Sequence, residues 1–259
     1  MKVSASELQI VFGDSDTLAT CLQAPFRLAD LEQWNGWFGP EEQQRYDRYR
    51  HEADRELFAA RRGLARLTIA NASGLSPDSI QLMESSSGKL SWRARNQPSS
   101  MELSFTITNG LDPAIDFSLS RSKNIVVAAT SKKHRIGIDV ETIGELPELW
   151  LLARQNLHPI ELEIWRSLPS DQQTIAYYRL WVVKEAFAKA LGAGLSIPPD
   201  RFSAADAIQQ KQDGKIEYWL NRDTSIVGYF QQFDISDNQI CAVVLVAPAN
   251  ATAVVIGAT

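Results

Sequence analysis

The strongest periodicity in the chain lies between Ser170 and Gly192. Apolar residues recur at helical spacing at Ala176, Leu180, Val183, Phe187 and Leu191, one stripe of a helix that faces a core. Ser170 is a candidate N-cap with Gln173 three residues on, a capping-box pattern, and Gly192 is a candidate stop. Glu185 and Lys189 lie one turn apart, about 40° from each other by the helical period and off the apolar stripe. Taken alone they predict a surface ion pair worth about a few tenths of a kcal/mol.

The other patterns are weaker. Glu7 to Phe12 predicts an opening strand, broken at Gly13-Asp14. Gly39-Pro40-Glu41-Glu42 is a helix start, with proline tolerated in the first turn and acids favoured at the positive end of the dipole. A second helix runs from Asp54 to Ala72, with Leu57, Ala60, Leu64 and Leu67 on one side and Gly74 closing it. Ile80–Met83 and Leu90–Trp92 predict strands around the turn Ser87-Gly88-Lys89, and Arg93 to Ser100 reads as a polar loop. Strand-like pieces follow from Leu103 to Thr130. Within them Phe117 and Leu119 alternate with Ser118 and Ser120. In Ile136-Gly-Ile-Asp-Val-Glu141 the three branched residues point one way, and Gly137, Asp139 and Glu141 the other. Helices near Leu149–Gln155 and Ile160–Ser167 precede the main helix. Strands at Ile216–Leu220, Ser225–Phe233 and Cys241–Ala247 end the pattern. The order of elements predicts two similar α/β halves, residues 1–135 and 136–259.

Composition narrows this. The chain has 259 residues with ordinary apolar and charged fractions, enough for one large domain or two small ones. A formal charge of −5 argues against non-specific nucleic-acid binding. Arginines nevertheless crowd one stretch: Arg45, Arg48, Arg50, Arg55, Arg61, Arg62 and Arg66. Most of these are expected on a solvated face, with a polyanion as the alternative. The two cysteines, Cys21 and Cys241, have no metal or redox spacing. With no signal segment at the N-terminus, they suit a cytoplasmic protein. No apolar run approaches the roughly 20 residues that cross a bilayer. The three histidines, His51, His134 and His158, have no ligand spacing, so zinc is not expected.

Two carboxylates at i and i+2 on a strand, beside a glycine and facing away from its apolar side, are either a solvated face or a hard-cation site. Mg²⁺ takes oxygen ligands and bridges to phosphates. Glu185 is the natural third carboxylate from a neighbouring helix.

Gly137-Ile-Asp139-Val-Glu141, followed by Trp181-Val-Val-Lys184-Glu185-Ala-Phe-Ala-Lys189, resembles the paired signature of 4′-phosphopantetheinyl transferases of the larger, surfactin-synthetase-activator type. Upstream, Gly88-Lys89 resembles that family's Gly-Lys-Pro turn, and Phe117-Ser-Leu-Ser120-Arg-Ser122 its Asn-(Ile/Leu)-Ser-His-Ser strand end. The resemblance runs from about residue 40 to 205. It implies an α+β fold of two similar halves in a pseudo-two-fold arrangement, with a coenzyme A cleft between them. It further implies transfer of the 4′-phosphopantetheine arm of coenzyme A to a serine of an apo acyl or peptidyl carrier protein, releasing adenosine 3′,5′-bisphosphate. Position by position, Asp139, Glu141 and Glu185 are the expected Mg²⁺ ligands, and Lys189 the expected phosphate contact. Glu161 falls where the family has its proposed general base. Arg45, Arg62, Lys89, Ser120 and Arg121 are expected on the coenzyme's phosphates. The chain departs from the pattern at Arg121 for histidine, Ser118 for asparagine and Leu90 for proline. Arginine still donates bidentately to phosphate. Lys184, about 100° around the helix from Glu185, ranks behind Lys189 as a contact. Trp181 is expected to pack. With both halves of the site in one chain, a monomer is expected. Two other classes would use the same carboxylates or coenzyme site: a metal-dependent phosphodiesterase acting on coenzyme A or nucleotides, and a coenzyme- or carrier-binding module without catalysis.

Overall fold

In the computed structural model the described residues are 9–14, 22–25, 34–84, 90–95, 115–123, 125–132, 134–192, 197–209, 213–220 and 225–246. The turn at Ser87–Lys89, the pieces between 96 and 114 and the tail from 247 lie outside them. The fold is α+β. The chain divides into two compact units, Met1–Leu119 with Lys123–Lys133 and Ser120–Ser122 with His134–Thr259.

In the first unit β1 (Gln9–Asp14) pairs antiparallel with β2 (Leu22–Pro25) and parallel with β6 (Ile125–Ser131). The sheet order is β2-β1-β6-β5, with β5 spanning Asp116–Ser122. A separate antiparallel pair joins β3 (Ile80–Glu84) to β4 (Leu90–Ala94), so Arg93 and Ala94 belong to a strand rather than to the expected loop. Helix α1 (Pro40–Arg48) starts at Gly39, whose N–H donates to Glu42 Oε2 at 3.1 Å. Helix α2 (Glu52–Ser73) is buried on two sides. Ala59, Ala60 and Leu64 pack with Val126 and Ala128, while Ala65 and Ile69 pack with Ile80, Leu82 and Phe117. On β5 Phe117 and Leu119 pack into one core cluster as expected, and Ser118 and Ser120 on the other face are buried as well.

That double burial takes two residues out of the expected solvated arginine face, on which Arg45, Arg48 and Arg50 are exposed and Arg55 and Arg61 half-buried. Arg62 and Arg66 are inside. Arg66 is wholly buried against Glu42 and also donates to the Ile80 carbonyl at 3.2 Å. Arg62 pairs with Glu84, its guanidinium 5.1 Å from the centre of the Phe58 ring. A buried guanidinium needs such paired acceptors, because an unpaired one is too costly to desolvate.

In the second unit four strands form an antiparallel sheet in the order β7-β10-β9-β8: β7 (Arg135–Thr142), β8 (Asp213–Trp219), β9 (Ser225–Ser236) and β10 (Gln239–Val246). The short helices α3 (Leu149–Asn156) and α4 (Pro159–Ser167) lead to α5 (Ser170–Leu191), which packs on β7 and β10. Its core face is wider than the predicted stripe and adds Val182, Ala186 and Ala190. Gly192, at φ +68°, ends the helix in the left-handed conformation that glycine adopts without penalty. The expected cap at Ser170 is not made. Ser170 is already helical, and Gln173 Nε2 donates instead to the Leu168 carbonyl at 3.1 Å. The capping box sits on α4, where the His158 N–H donates to Glu161 Oε2 at 2.8 Å.

Candidate active site

The pleat of β7 puts Gly137, Asp139 and Glu141 on one face. Gly137 is where α5 meets that face. A methyl group there would overlap the Ala186 carbonyl oxygen and lie 2.6 Å from the Ala190 amide nitrogen. Only glycine allows backbone to approach backbone so closely. Because Ala186 follows Glu185 and Ala190 follows Lys189, this contact also fixes where those two side chains emerge.

The result is a tight polar cluster. Lys189 Nζ donates to Asp139 Oδ1 at 2.6 Å and to Ser120 Oγ at 2.8 Å. Ser120 Oγ in turn donates to Asp139 Oδ1 at 2.6 Å. Lys189 is thus paired with Asp139 on β7, and not with Glu185 on its own helix. Ser122 Oγ donates to Glu141 Oε2 at 3.0 Å and accepts the Thr142 N–H at 2.9 Å.

Electrostatics make this a site short of positive charge. Asp139 is only 4% exposed, and its Oδ2 is buried without a hydrogen-bond partner. Burial, and then the nearby Asp139 charge, push the carboxyls of Glu141 and Glu185 above the ordinary glutamate range. Lys189 opposes both rises. A divalent cation would satisfy the orphaned Asp139 oxygen and the mutual repulsion together, so the donor set fits a hard cation. Among the described residues no group of three or more His, Cys, Asp or Glu side chains is arranged to hold a metal ion.

The remaining expected residues fall elsewhere. Glu161 has no exposed surface. Its Oε2 accepts from His158 N–H and pairs with Lys184 Nζ at 2.8 Å, while Oε1 accepts from the Ala204 N–H. Both oxygens are engaged, in a helix cap and a buried ion pair. Lys184 is equally buried. It donates to the carbonyls of Pro199 and Phe202, each at 2.7 Å, and burial lowers its pKa. Arg62, expected on phosphate, is spent on Glu42 and Glu84 within the first unit. Arg45 is half exposed and pairs with Glu84 at 2.6 Å. Arg121 is exposed. Ser120, also expected on phosphate, is buried against Asp139. Lys89 lies outside the described residues.

One residue, Ser122, and one pairing, Lys184 with Glu161, went unassigned in the sequence. Ser122 was visible as the second serine of a strand end, at the same i, i+2 spacing as Asp139 and Glu141. The Lys184–Glu161 pair carried no signal, because neither the burial of α5 all round nor the packing of residues 199–204 can be read from helical periodicity. Among the described residues no helix is long and apolar enough to cross a membrane.

Comparison with known proteins converges on one group. Residues 135–244, which hold β7, α5 and the cluster between them, match the model of the 4′-phosphopantetheinyl transferase superfamily. The chain is 30% identical over 168 residues to the 4′-phosphopantetheinyl transferase HetI of Nostoc sp., covering 65% of each chain. It is 32% identical over 119 residues to the 4′-phosphopantetheinyl transferase gsp of Aneurinibacillus migulanus, covering 46% of this chain and 47% of that one. With the 4′-phosphopantetheinyl transferase Sfp of Bacillus subtilis the identity is 25% over 227 residues, 88% of this chain and 90% of that one. The match thus spans less than two thirds of HetI and about half of gsp, but nearly all of Sfp.

Proposed function

We propose that this chain is a 4′-phosphopantetheinyl transferase that moves the 4′-phosphopantetheine arm of coenzyme A to a serine of an apo carrier protein, a reading supported by the superfamily match over residues 135–244 and by the similarity to HetI and Sfp. The observation that carries this reading is the single cluster formed by Asp139, Glu141, Glu185 and Lys189, with one buried carboxylate oxygen left unpaired.

In the proposed reaction the carrier's serine oxygen bonds the phosphorus that bears the pantetheine. The bond from that phosphorus to the bridging oxygen breaks, and adenosine 3′,5′-bisphosphate leaves with the electron pair. As its oxygen bonds, the serine hydroxyl gives up its proton to the leaving 5′-phosphate or to solvent. Mg²⁺ held by Asp139, Glu141 and Glu185 would neutralise charge on the pyrophosphate oxygens. Lys189 has three N–H donors and uses two inside the protein, on Ser120 and Asp139. Its side chain keeps 29% exposure, so the third donor is open to a phosphate oxygen. Being fixed before substrate arrives, it needs no reorganisation as charge develops. Glu161 enters this scheme only by holding Lys184, and with it the middle of α5. Arg45, Arg121 and Lys89 are proposed as outer contacts to the coenzyme's phosphates. Metal ligands and Lys189 all come from one chain, which supports a monomer. Two cysteines without metal or redox spacing suit a reducing cytoplasm.

The test is release of adenosine 3′,5′-bisphosphate from coenzyme A with Mg²⁺, followed with and without a panel of apo carrier proteins. Transfer predicts release only when a carrier is present, in step with its modification. Release without a carrier would instead make the protein a hydrolase.

A further inference from the structure

Ser120 and Ser122 stand two residues apart on β5, Asp139 and Glu141 two apart on β7, and each serine meets one carboxylate. The pairing is selective for oxygen atoms. On Asp139, Oδ1 takes both Ser120 Oγ and Lys189 Nζ, while Oδ2 is buried and unpartnered. On Glu141, Oε2 takes Ser122 Oγ, whose own acceptor site is filled by the Thr142 backbone N–H. A carboxylate oxygen can only accept, so the Ser122 hydroxyl spends its one proton on Glu141 while its oxygen takes the Thr142 N–H.

Resting on the function proposed above, we infer that Ser120 and Ser122 are positioning residues that assign the donor atoms of the cation site. Each occupies one oxygen of its carboxylate and leaves the other, Asp139 Oδ2 and Glu141 Oε1, for the metal. Ser120 thereby acts on the Asp139 carboxylate. The spacing matches: two serines at i and i+2 on β5 meet two carboxylates at i and i+2 on β7. Outer partners of this kind affect metal affinity strongly because they hold the ligand's rotamer before the ion arrives.

Direct binding of Mn²⁺, a spectroscopic stand-in for Mg²⁺, is measured by electron paramagnetic resonance on the wild type and on Ser120→Ala, Ser122→Ala and Ser122→Thr, each checked for folding by thermal melting without metal. The expected result is affinity weakened about 10–100-fold in both alanine variants and kept in Ser122→Thr, which retains the hydroxyl. Alanine variants that bind as tightly as the wild type overturn the inference, as does Ser122→Thr binding no better than Ser122→Ala. A folded wild type that binds no Mn²⁺ overturns instead the metal site of the proposed function, which separates the two failures.

Discussion

Glu161 and Lys184 decide between two accounts of the same residue. If the buried pair is a clamp, removing one partner strands the other. In Glu161→Gln the amide cannot accept from both the Ala204 and His158 N–H groups and from Lys184, and the ammonium stays buried without a counter-charge. In Lys184→Met the carboxylate keeps two amide donors but loses its cation. Breaking a buried pair this way costs about 3–5 kcal/mol, a large share of the roughly 5–15 kcal/mol that holds a domain together. Additivity would put the double variant at about 6–10 kcal/mol. The clamp predicts that Glu161→Gln/Lys184→Met loses no more than either single variant, because both charges go together. Urea unfolding gives the stabilities, and transfer rates are taken at urea-free conditions where each variant is folded. The rates separate the accounts. A clamp predicts that Glu161→Gln slows transfer by loosening α5 and that the double variant recovers much of the loss. A general base predicts a loss of about 10²–10⁴-fold in Glu161→Gln that Lys184→Met cannot repair. Stability unchanged in the single variants, with the rate equally low in single and double, would refute the clamp.

Other outcomes follow from the same geometry. Gly137→Ala drives a methyl group into the Ala186 carbonyl and the Ala190 amide. It should cost at least about 1–3 kcal/mol by overpacking and weaken Mn²⁺ binding, read by urea unfolding and metal titration. Lys189→Met should lower the transfer rate about 10²–10³-fold, the effect of removing one preset donor, with the protein still folded by circular dichroism. The raised carboxyls of Glu141 and Glu185 give a pH dependence of known sign. Just above the ordinary value of 4.5 the folded, metal-free protein holds more protons at these groups than the unfolded chain does. Their contribution therefore makes it less stable as pH rises through that window. A bound cation removes the penalty, so the rise in Tm on adding Mg²⁺ should be larger at about pH 7 than at about pH 5.

What the sequence revealed was whatever repeats with the period of a strand or a helix. Asp139 and Glu141 share a face because a strand has period two. Glu185 and Lys189 share one because a helix returns every four residues. Gly192 and the Gly39–Glu42 start are local chemistry, written in a few consecutive residues. Burial of charge is not local. Arg62 and Arg66 looked like a solvated face because an arginine-rich helix usually is one, yet α2 is covered on two sides and Glu42 and Glu84 come from other elements to meet them. Glu161 likewise looked free to act as a base, because the residues that enclose it, His158, Lys184 and Ala204, are scattered over 46 positions of chain. Lys189 was seen as a phosphate contact, but its partner on Asp139 needed the depth of Gly137 against Ala186.

The central claim is that Asp139 holds the cation on which transfer depends. Intact-mass spectrometry of an apo carrier protein, incubated with coenzyme A, Mg²⁺ and either the wild type or Asp139→Asn, tests it in one measurement. The account predicts that the carrier gains the mass of one phosphopantetheine arm with the wild type, and gains none with the folded variant or when Mg²⁺ is chelated. Full modification of the carrier by Asp139→Asn, or by the wild type without divalent metal, would contradict it.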